Sequence, residues 1–587
     1  MDKGWRYEAP TIGNRIKSGI FVAMSRFWNI IPHSFRRRTV GVVMTIFLRA
    51  ILNFVGVATL IPILILIVDS NNIATTGSLN WLYNRLHLDS YETFSMVVCL
   101  GVIAIIVIKN IAVVYLYRFE RDYIYSLYKH LSERLYASYY HKGLGFIKHS
   151  NTAILTRNVN VVSLIFATNI LKPIATIIGE GLLMLLMFVA LVLYSPTIAL
   201  ITVGLFLPIV ALFYFSMRKR LNSIGDKENA AQRAKGRIVA ETFRGFADIE
   251  INNAFPLTMS NFSKAIDEAV KLRKEYATIS MLPQMFTEVG LAIGLTVIII
   301  VSLYSSSDNL VILLGIFAIA GVRLLPSLRT IMASWSSIRY NRYTIDTLIE
   351  ADINEVQTTT SPTTDRFNFE HSIELRNLGF KFEDSDTELL NNLSLTIHKG
   401  ERIGITGASG VGKTTLFNII LGLYRPTSGA IFVDGEELSD SNIRKWQNSI
   451  GYVSQSVFIA DSTLLENIAL GYDSTTIDLE RINRVIELAD LGEFVASLPD
   501  GINSRIGEQG SKISGGQRQR IGIARALYKD SDILFFDEAT SSLDNKTEEN
   551  INKAIQNLSL NNSSLTIVII AHRESSLEYC DRIITLE

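Results

Sequence analysis

The nine residues Gly407-Ala408-Ser409-Gly410-Val411-Gly412-Lys413-Thr414-Thr415 set closely spaced glycines beside a lysine and two hydroxyls. That spacing makes a phosphate cradle. Glycines let successive backbone N–H groups turn inward, and the helix that follows aims its positive end at the same point. Lys413 adds a point charge suited to β- and γ-phosphates, and the Thr414 hydroxyl is a hard oxygen ligand for magnesium. A second site lies further on, where the apolar run Ile533-Leu534-Phe535-Phe536 ends in Asp537-Glu538. Two carboxylates there suit different tasks. Asp537 can bind magnesium directly or through water, and Glu538 can act as the base that polarises an attacking water.

Both sites need strands behind them. Arg402–Thr406 is an apolar strand feeding the glycine loop, Thr414–Leu423 is the helix it opens, and the run before Asp537 is a buried strand. With Ile513-Ser514-Gly515-Gly516-Gln517, Tyr452-Val453-Ser454-Gln455 and Ile570-Ala571-His572-Arg573 in the same order along the chain, the sequence resembles the ABC transporter superfamily, exporter type, over essentially its whole length.

That resemblance implies ATP and Mg2+ as cofactors. Ser514, Gly515, Gly516 and Gln517 correspond to the signature that closes over ATP held by the partner subunit, with Ile513 where Leu is usual. It makes Gln455 a magnesium and water contact, His572 the switch histidine, Asp544 the end of the D-loop and Glu508 the acidic position before the signature. Phe382 stands where an aromatic ring stacks on adenine, with Phe380 two residues away. Gly407, Ser409, Gly410, Gly412, Lys413, Thr414 and Thr415 hold the phosphates. The implied partner is a second copy of the chain, a homodimer with two composite ATP sites, each complete because Glu538 and His572 are both present.

Composition splits the 587 residues in two. Mean hydropathy is +0.26 and formal net charge is zero, so no global basic field points to nucleic acid. Cys99 and Cys580 are the only cysteines and are not expected to form a disulfide. No cleavable signal pattern is visible in the first 35 residues, and a leader-trimming peptide exporter is not expected, given the short segment before residue 40. The organisation expected is an N-terminal amphipathic segment (1–35), a transmembrane domain (36–350), a linker (351–370) and a nucleotide-binding domain (371–587). The fold class is therefore multidomain: an all-α six-helix transmembrane domain of the ABC exporter type plus an α/β P-loop domain.

Six apolar stretches, near 40–68, 93–117, 170–194, 197–217, 284–305 and 309–333, are long enough to cross about 30 Å of hydrocarbon. Lys and Arg crowd the N-terminal segment, 118–160 and 218–274, whereas the loops near 195 and 306 hold none and 69–92 holds only Arg85. Basic segments stay inside. Both termini are therefore expected in the cytosol of a multi-pass protein of the bacterial inner membrane. The two long basic segments are expected to be helical continuations of their spans. Residues 16–31 suit an amphipathic helix on the inner leaflet, and Leu79–Leu86 a short helix at the outer one.

Charges inside the spans carry what the sequence says of cargo: Arg49, Lys109, Glu180, Glu288 and Arg323. For Arg49, near an inner end, snorkelling to the interface stands at least level with a functional role. Lys109 and Arg323 are candidates for the substrate cavity, four cations in a dimer, suiting an anionic or pyrophosphate head group. Arg323-Leu324-Leu325-Pro326-Ser327, Glu288-Val289-Gly290 and the outer helix resemble the bacterial lipid-linked oligosaccharide flippases. The implied substrate is an amphipathic, lipid-linked glycan, with membrane lipid as the surroundings. Alternatives are a lipid A or phospholipid flippase, a multidrug or peptide exporter and, less well matched, an ATP-gated channel or regulator. Cytosolic ABC ATPases acting on ribosomes or DNA are excluded by the spans.

Overall fold

The computed structural model describes residues 31–60, 63, 81, 83, 85, 91–194, 196–304, 310–351, 365–382, 385, 387–507, 513–539, 545–561, 564–571, 573 and 577–587. The chain divides into two compact units, Met1–Lys142 with Phe146–Thr358, and Gly143–Gly145 with Thr359–Glu587.

The described residues of the first unit form helices joined by short turns, with no strand among them. Runs of Leu, Ile, Val and Ala satisfy every backbone polar group within the helix itself, the condition for crossing lipid. Its long helices are α1 (His33–Ala58), α2 (Tyr91–His141), α3 (Lys172–Tyr194), α4 (Pro196–Arg244), α5 (Phe255–Tyr304) and α6 (Leu310–Tyr340). The 51 residues of α2 extend about 77 Å at 1.5 Å each, more than twice the hydrocarbon thickness. The apolar half of α2 is thus prolonged by the charged segment 118–141, and α4 does the same through 218–244. The expected helical continuations are present. Among the described residues, four helical stretches are long and apolar enough to cross a membrane: Ser34–Ala58, Glu92–His141, Thr152–Leu193 and Thr202–Arg244. The expected inner-leaflet helix, apart from Ile31, lies outside the described residues. Of the outer one only Trp81, Tyr83 and Arg85 are described, each helical.

Arg49 does not snorkel. It is 5% exposed and bonds Glu120 of α2 at 2.6 Å, with its guanidinium 4.3 Å from the Tyr117 ring centroid. An interior carboxylate within reach outcompetes the distant headgroup layer, and Glu120 stood outside the span in the sequence.

The second unit carries two sheets. Strands β1 (Ser372–Phe380), β2 (Leu390–His398), β4 (Ser428–Val433) and β5 (Glu436–Glu437) form an antiparallel sheet in the order β2-β1-β4-β5. Strands β3 (Arg402–Gly407), β6 (Ile450–Val453), β7 (Ile533–Asp537), β8 (Thr566–Ile570) and β9 (Arg582–Leu586) form a parallel sheet in the order β6-β7-β8-β3-β9. The near-continuous apolar character of β7 and β8 follows from burial on both faces. Helices α7 (Lys413–Ile420), α8 (Gly515–Tyr528) and α9 (Asn545–Asn561) belong to this unit. Phe417 of α7 meets Phe535 of β7 edge to face at 5.3 Å, fixing the helix over the sheet centre.

Candidate nucleotide site and membrane cations

Parallel pairing brings the carboxyl ends of four strands to one edge, the usual ligand edge of such a sheet. Asp537 pairs with Ile570, Ile405 with Ile570, and Val453 with Phe536. The glycine loop leaving β3, the acidic pair ending β7 and Gln455 after β6 therefore share one rim. His572, two residues beyond β8, lies outside the described residues, as do Glu508 and Asp544.

The loop's conformation requires its glycines. Gly407, Gly410 and Gly412 have φ of +146°, +85° and +106°, values that a side chain strongly disfavours. A Cβ on Gly407 would lie 2.6 Å from the Leu586 carbonyl. Lys413, 6% exposed, donates from Nζ to the Gly407 and Ala408 carbonyls at 2.8 and 3.0 Å. A buried ammonium held by neutral carbonyls is well matched to an arriving phosphate, which offers charge as well as lone pairs. Ser409 lies in the loop, while Thr414 and Thr415 follow Lys413 in the first turn of α7.

Thr414 donates to Asp537 Oδ1 at 3.3 Å, and Asp537 is 1% exposed. A hydroxyl and a carboxylate at that separation are the hard oxygen donors magnesium takes. Glu538 has φ +50°, an uncommon value for a side-chain-bearing residue, and its N–H is tied to Ile570 O at 2.9 Å. Strain of this kind concentrates at working sites. Its carboxylate accepts from Gln455 Nε2 at 2.7 Å. Gln455 and Glu538 thus meet directly, and the Glu538 carboxylate can take a proton from a water beside the phosphates.

Ser514 caps α8. Its hydroxyl accepts from Gln517 N at 3.1 Å, and Gln517 Oε1 accepts from Ser514 N at 2.8 Å. Gln517 therefore has a capping task in this chain, and Gly515 and Gly516 hold the exposed first turn. Of the two phenylalanines, Phe380 is buried at 6%, whereas Phe382 is partly exposed and meets Phe380 and Tyr424 edge to face at 4.9 and 5.9 Å.

Two residues escaped the sequence reading. Tyr452 sits on the same face of the sheet as Asp537, because it pairs with Phe535, and its hydroxyl bonds the Asp537 carboxylate. Burial, with the Asp537 charge beside it, holds the phenol protonated far above its usual range, so it stays a donor. Arg525 of α8 donates to the carbonyls of Asn467 and Phe458 at 2.8 and 2.9 Å, tying the signature helix to the segment after Gln455. Burial draws its pKa down to about 10. Tyr452 was hidden because register, not spacing, aligns it with Asp537.

In the helical unit, Arg323 of α6 lies 3.9 Å from Glu180 of α3, which also accepts from Ser327 at 2.6 Å. Lys109 of α2 crosses Gly56 of α1, where a Cβ would come within 2.8 Å of the lysine stem. It lies close enough to Arg323 for the charges to repel, and among the described residues no carboxylate pairs with it. Two cations thus stand together, and among the described residues only Arg323 is paired with a carboxylate. Glu288 is exposed and accepts from Gln284 on its own helix at 3.0 Å.

The ABC transporter family model matches residues 390–541. The chain is 29% identical over 446 residues to the ATP-dependent lipid A-core flippase of Cupriavidus pinatubonensis, covering 75% of this chain and 74% of that one. It is 30% identical over 393 residues to the flippase of the same name from Ralstonia nicotianae, covering 66% and 65%. With the chloroplastic ABC transporter B family member 29 of Arabidopsis thaliana it shares 28% identity over 72% of this chain and 66% of that one. Its fold is that of a bacterial Atm1-family ABC exporter solved with ATP bound, at a TM-score of 0.76, 21% identity and 94% coverage of both chains. The chain is an ABC exporter half-transporter. It is an ATP-hydrolysing, multi-pass membrane protein of the exporter and flippase kind.

Proposed function

We propose that two copies of this chain form a homodimer in the bacterial inner membrane and flip a phosphate-bearing glycolipid from the inner to the outer leaflet. Both termini then lie in the cytosol. Each of two composite sites holds ATP and Mg2+ between the 407–415 loop, Thr414, Gln455 and Asp537 of one copy and Ser514, Gly515 and Gly516 of the other. Glu538 serves as the base, with Asp544 and His572 completing the set and Phe382 stacking on adenine. Binding of ATP draws the nucleotide domains together, and hydrolysis releases them, so that the helices alternate between inward and outward openings.

The observation that carries the cargo reading is a local surplus of positive charge inside the spans. Lys109 and Arg323 lie close to each other, and among the described residues only Arg323 has an ion-pair partner, Glu180; a charge kept in hydrocarbon marks a ligand path. Phosphates on a lipid head supply the missing anions. The relatives' names favour a lipid A-core type of cargo. A polyprenyl-pyrophosphate oligosaccharide is the second reading, supported by the Arg323–Ser327 segment. ATP-driven flipping in proteoliposomes, with lipid A-core, lipid-linked oligosaccharide and a hydrophobic dye in separate arms, tests both. Flipping of one glycolipid with an inert dye is expected. Dye transport without either glycolipid would sink the proposal.

A further inference from the structure

A second group of cations lies further along α6, past the end of its apolar stretch. The contact that builds it is between α4 and α6. At Gly225 a Cβ would stand 1.9 Å from the Tyr340 carbonyl, so only glycine lets the two backbones approach so closely. Arg218 lies seven residues, two turns, before Gly225 and therefore on the same face of α4. The result is a layered group. The Tyr214 and Trp335 rings meet at a tilt of 44° with centroids 4.9 Å apart, the Arg218 guanidinium lies 6.0 Å from the Tyr214 ring, and the Arg339 guanidinium lies 5.7 Å from the Trp335 ring. Arg339 also bonds the Tyr214 hydroxyl, and both Arg218 and Arg342 press on its charge.

Three guanidiniums this close repel one another, and among the described residues none of them is in an ion pair. The nearby carboxylates are already engaged. Glu275 takes Arg220 at 2.5 Å, and Glu228 takes Arg273 at 3.4 Å and the Tyr340 hydroxyl. Trp335 Nε1 is buried without an acceptor. A solvated Arg at a membrane edge needs no partner, but these three are half-buried, and Arg218 and Arg339 lie over rings, which holds their donors in place. Aromatic stacking leaves the guanidinium edge open, and that edge matches the oxygens of a phosphate.

We infer that Arg218, Arg339 and Arg342, with Trp335 Nε1, form a binding site for the phosphate group of a lipid head at the inner-leaflet level. Arg339 lies sixteen residues beyond Arg323, about 24 Å along the helix, so this site is distinct from the Lys109 and Arg323 pair. It rests on the flippase reading only for the direction in which a lipid would travel. A lipid held here by its phosphate would be poised at the level where inner-leaflet heads reside, ahead of the deeper cations.

The test uses the purified full chain in phosphatidylcholine nanodiscs. Phosphatidic acid is titrated in one arm and inorganic phosphate in another, with binding followed by Trp335 fluorescence and Trp335→Phe as the blank. Phosphatidic acid should change the signal saturably, and the Arg218→Gln/Arg339→Gln chain should bind it at least about tenfold more weakly. Arg342→Gln alone, in the half-buried turn after α6, should weaken it about threefold. Lys109→Gln/Arg323→Gln should leave the response in place. Unchanged binding in the arginine variants, a response lost on changing Lys109 and Arg323, or inorganic phosphate binding as tightly as the lipid would each overturn the site. Absence of flipping with phosphatidic acid binding intact would remove the flippase reading and leave this site standing.

Discussion

The nucleotide site and the membrane helices treat charge in opposite ways. At the strand edge every described charge has a partner from the chain itself. Lys413 holds two loop carbonyls, Asp537 is met by Thr414 and Tyr452, and Glu538 is met by Gln455. Within the helices Arg49 and Glu120 close on each other, but Lys109, Arg323 and the Arg218 group are cations in excess of anions. A preorganised catalytic site needs its groups fixed before substrate arrives, so self-pairing is an advantage there. A transport path must release what it holds, and cations left unmatched by the chain are matched by cargo. The difference separates what the protein does to ATP from what it does to its cargo.

The comparison is sharpened most by Glu538→Gln. If Glu538 is the base, purified protein should lose at least about a hundredfold in ATP turnover while still binding nucleotide. Turnover within a few-fold of the parent would defeat the assignment. Next in size is the self-paired cation among the helices. Glu120→Ala leaves Arg49 buried and uncompensated, a loss of about 3–5 kcal/mol, visible as a lower unfolding midpoint of the full chain. An unchanged midpoint would mean that water or lipid already satisfies Arg49.

Tyr452→Phe tests whether self-pairing at the strand edge matters to function. Removing the donor that holds Asp537 should raise the magnesium concentration for half-maximal turnover about three- to fivefold, with a smaller change in the maximal rate. A fall in maximal rate alone would point to a packing role. The smallest effect concerns Lys529, which donates to the Ile450 carbonyl at 2.8 Å and to Gln447 O. Burial, helped by Arg366, draws its pKa from 10.5 down to about 8. Between those values the unfolded chain carries a proton that the folded one lacks, so stability should rise with pH from about 8 to about 10.5. Lys529→Gln should flatten that slope in a denaturation series, and an identical slope in both proteins would contradict the shift.

The nucleotide site was legible because its chemistry is written in consecutive residues. Glycines that need positive φ, a lysine and two acids after an apolar strand each have a local cause. Tyr452 and Arg525 were not legible, since they act across strand register and between elements. The helices were legible as lengths and periods, including the long cytosolic continuations of α2 and α4. The partners of their charges were not. Arg49 looked like a snorkelling residue until Glu120, 71 positions away, appeared beside it. Gly225 and Arg339 show the same limit, because only helix packing tells which arginines share one space.

The most direct test of the central claim compares one glycolipid with and without its phosphates. Lipid A-core and its enzymatically dephosphorylated form are reconstituted with the full chain, and ATP-driven movement between leaflets is measured under identical conditions. If cargo phosphates complete the unmatched cations, flipping of the dephosphorylated lipid should fall at least about tenfold. Equal flipping of both forms would contradict the account.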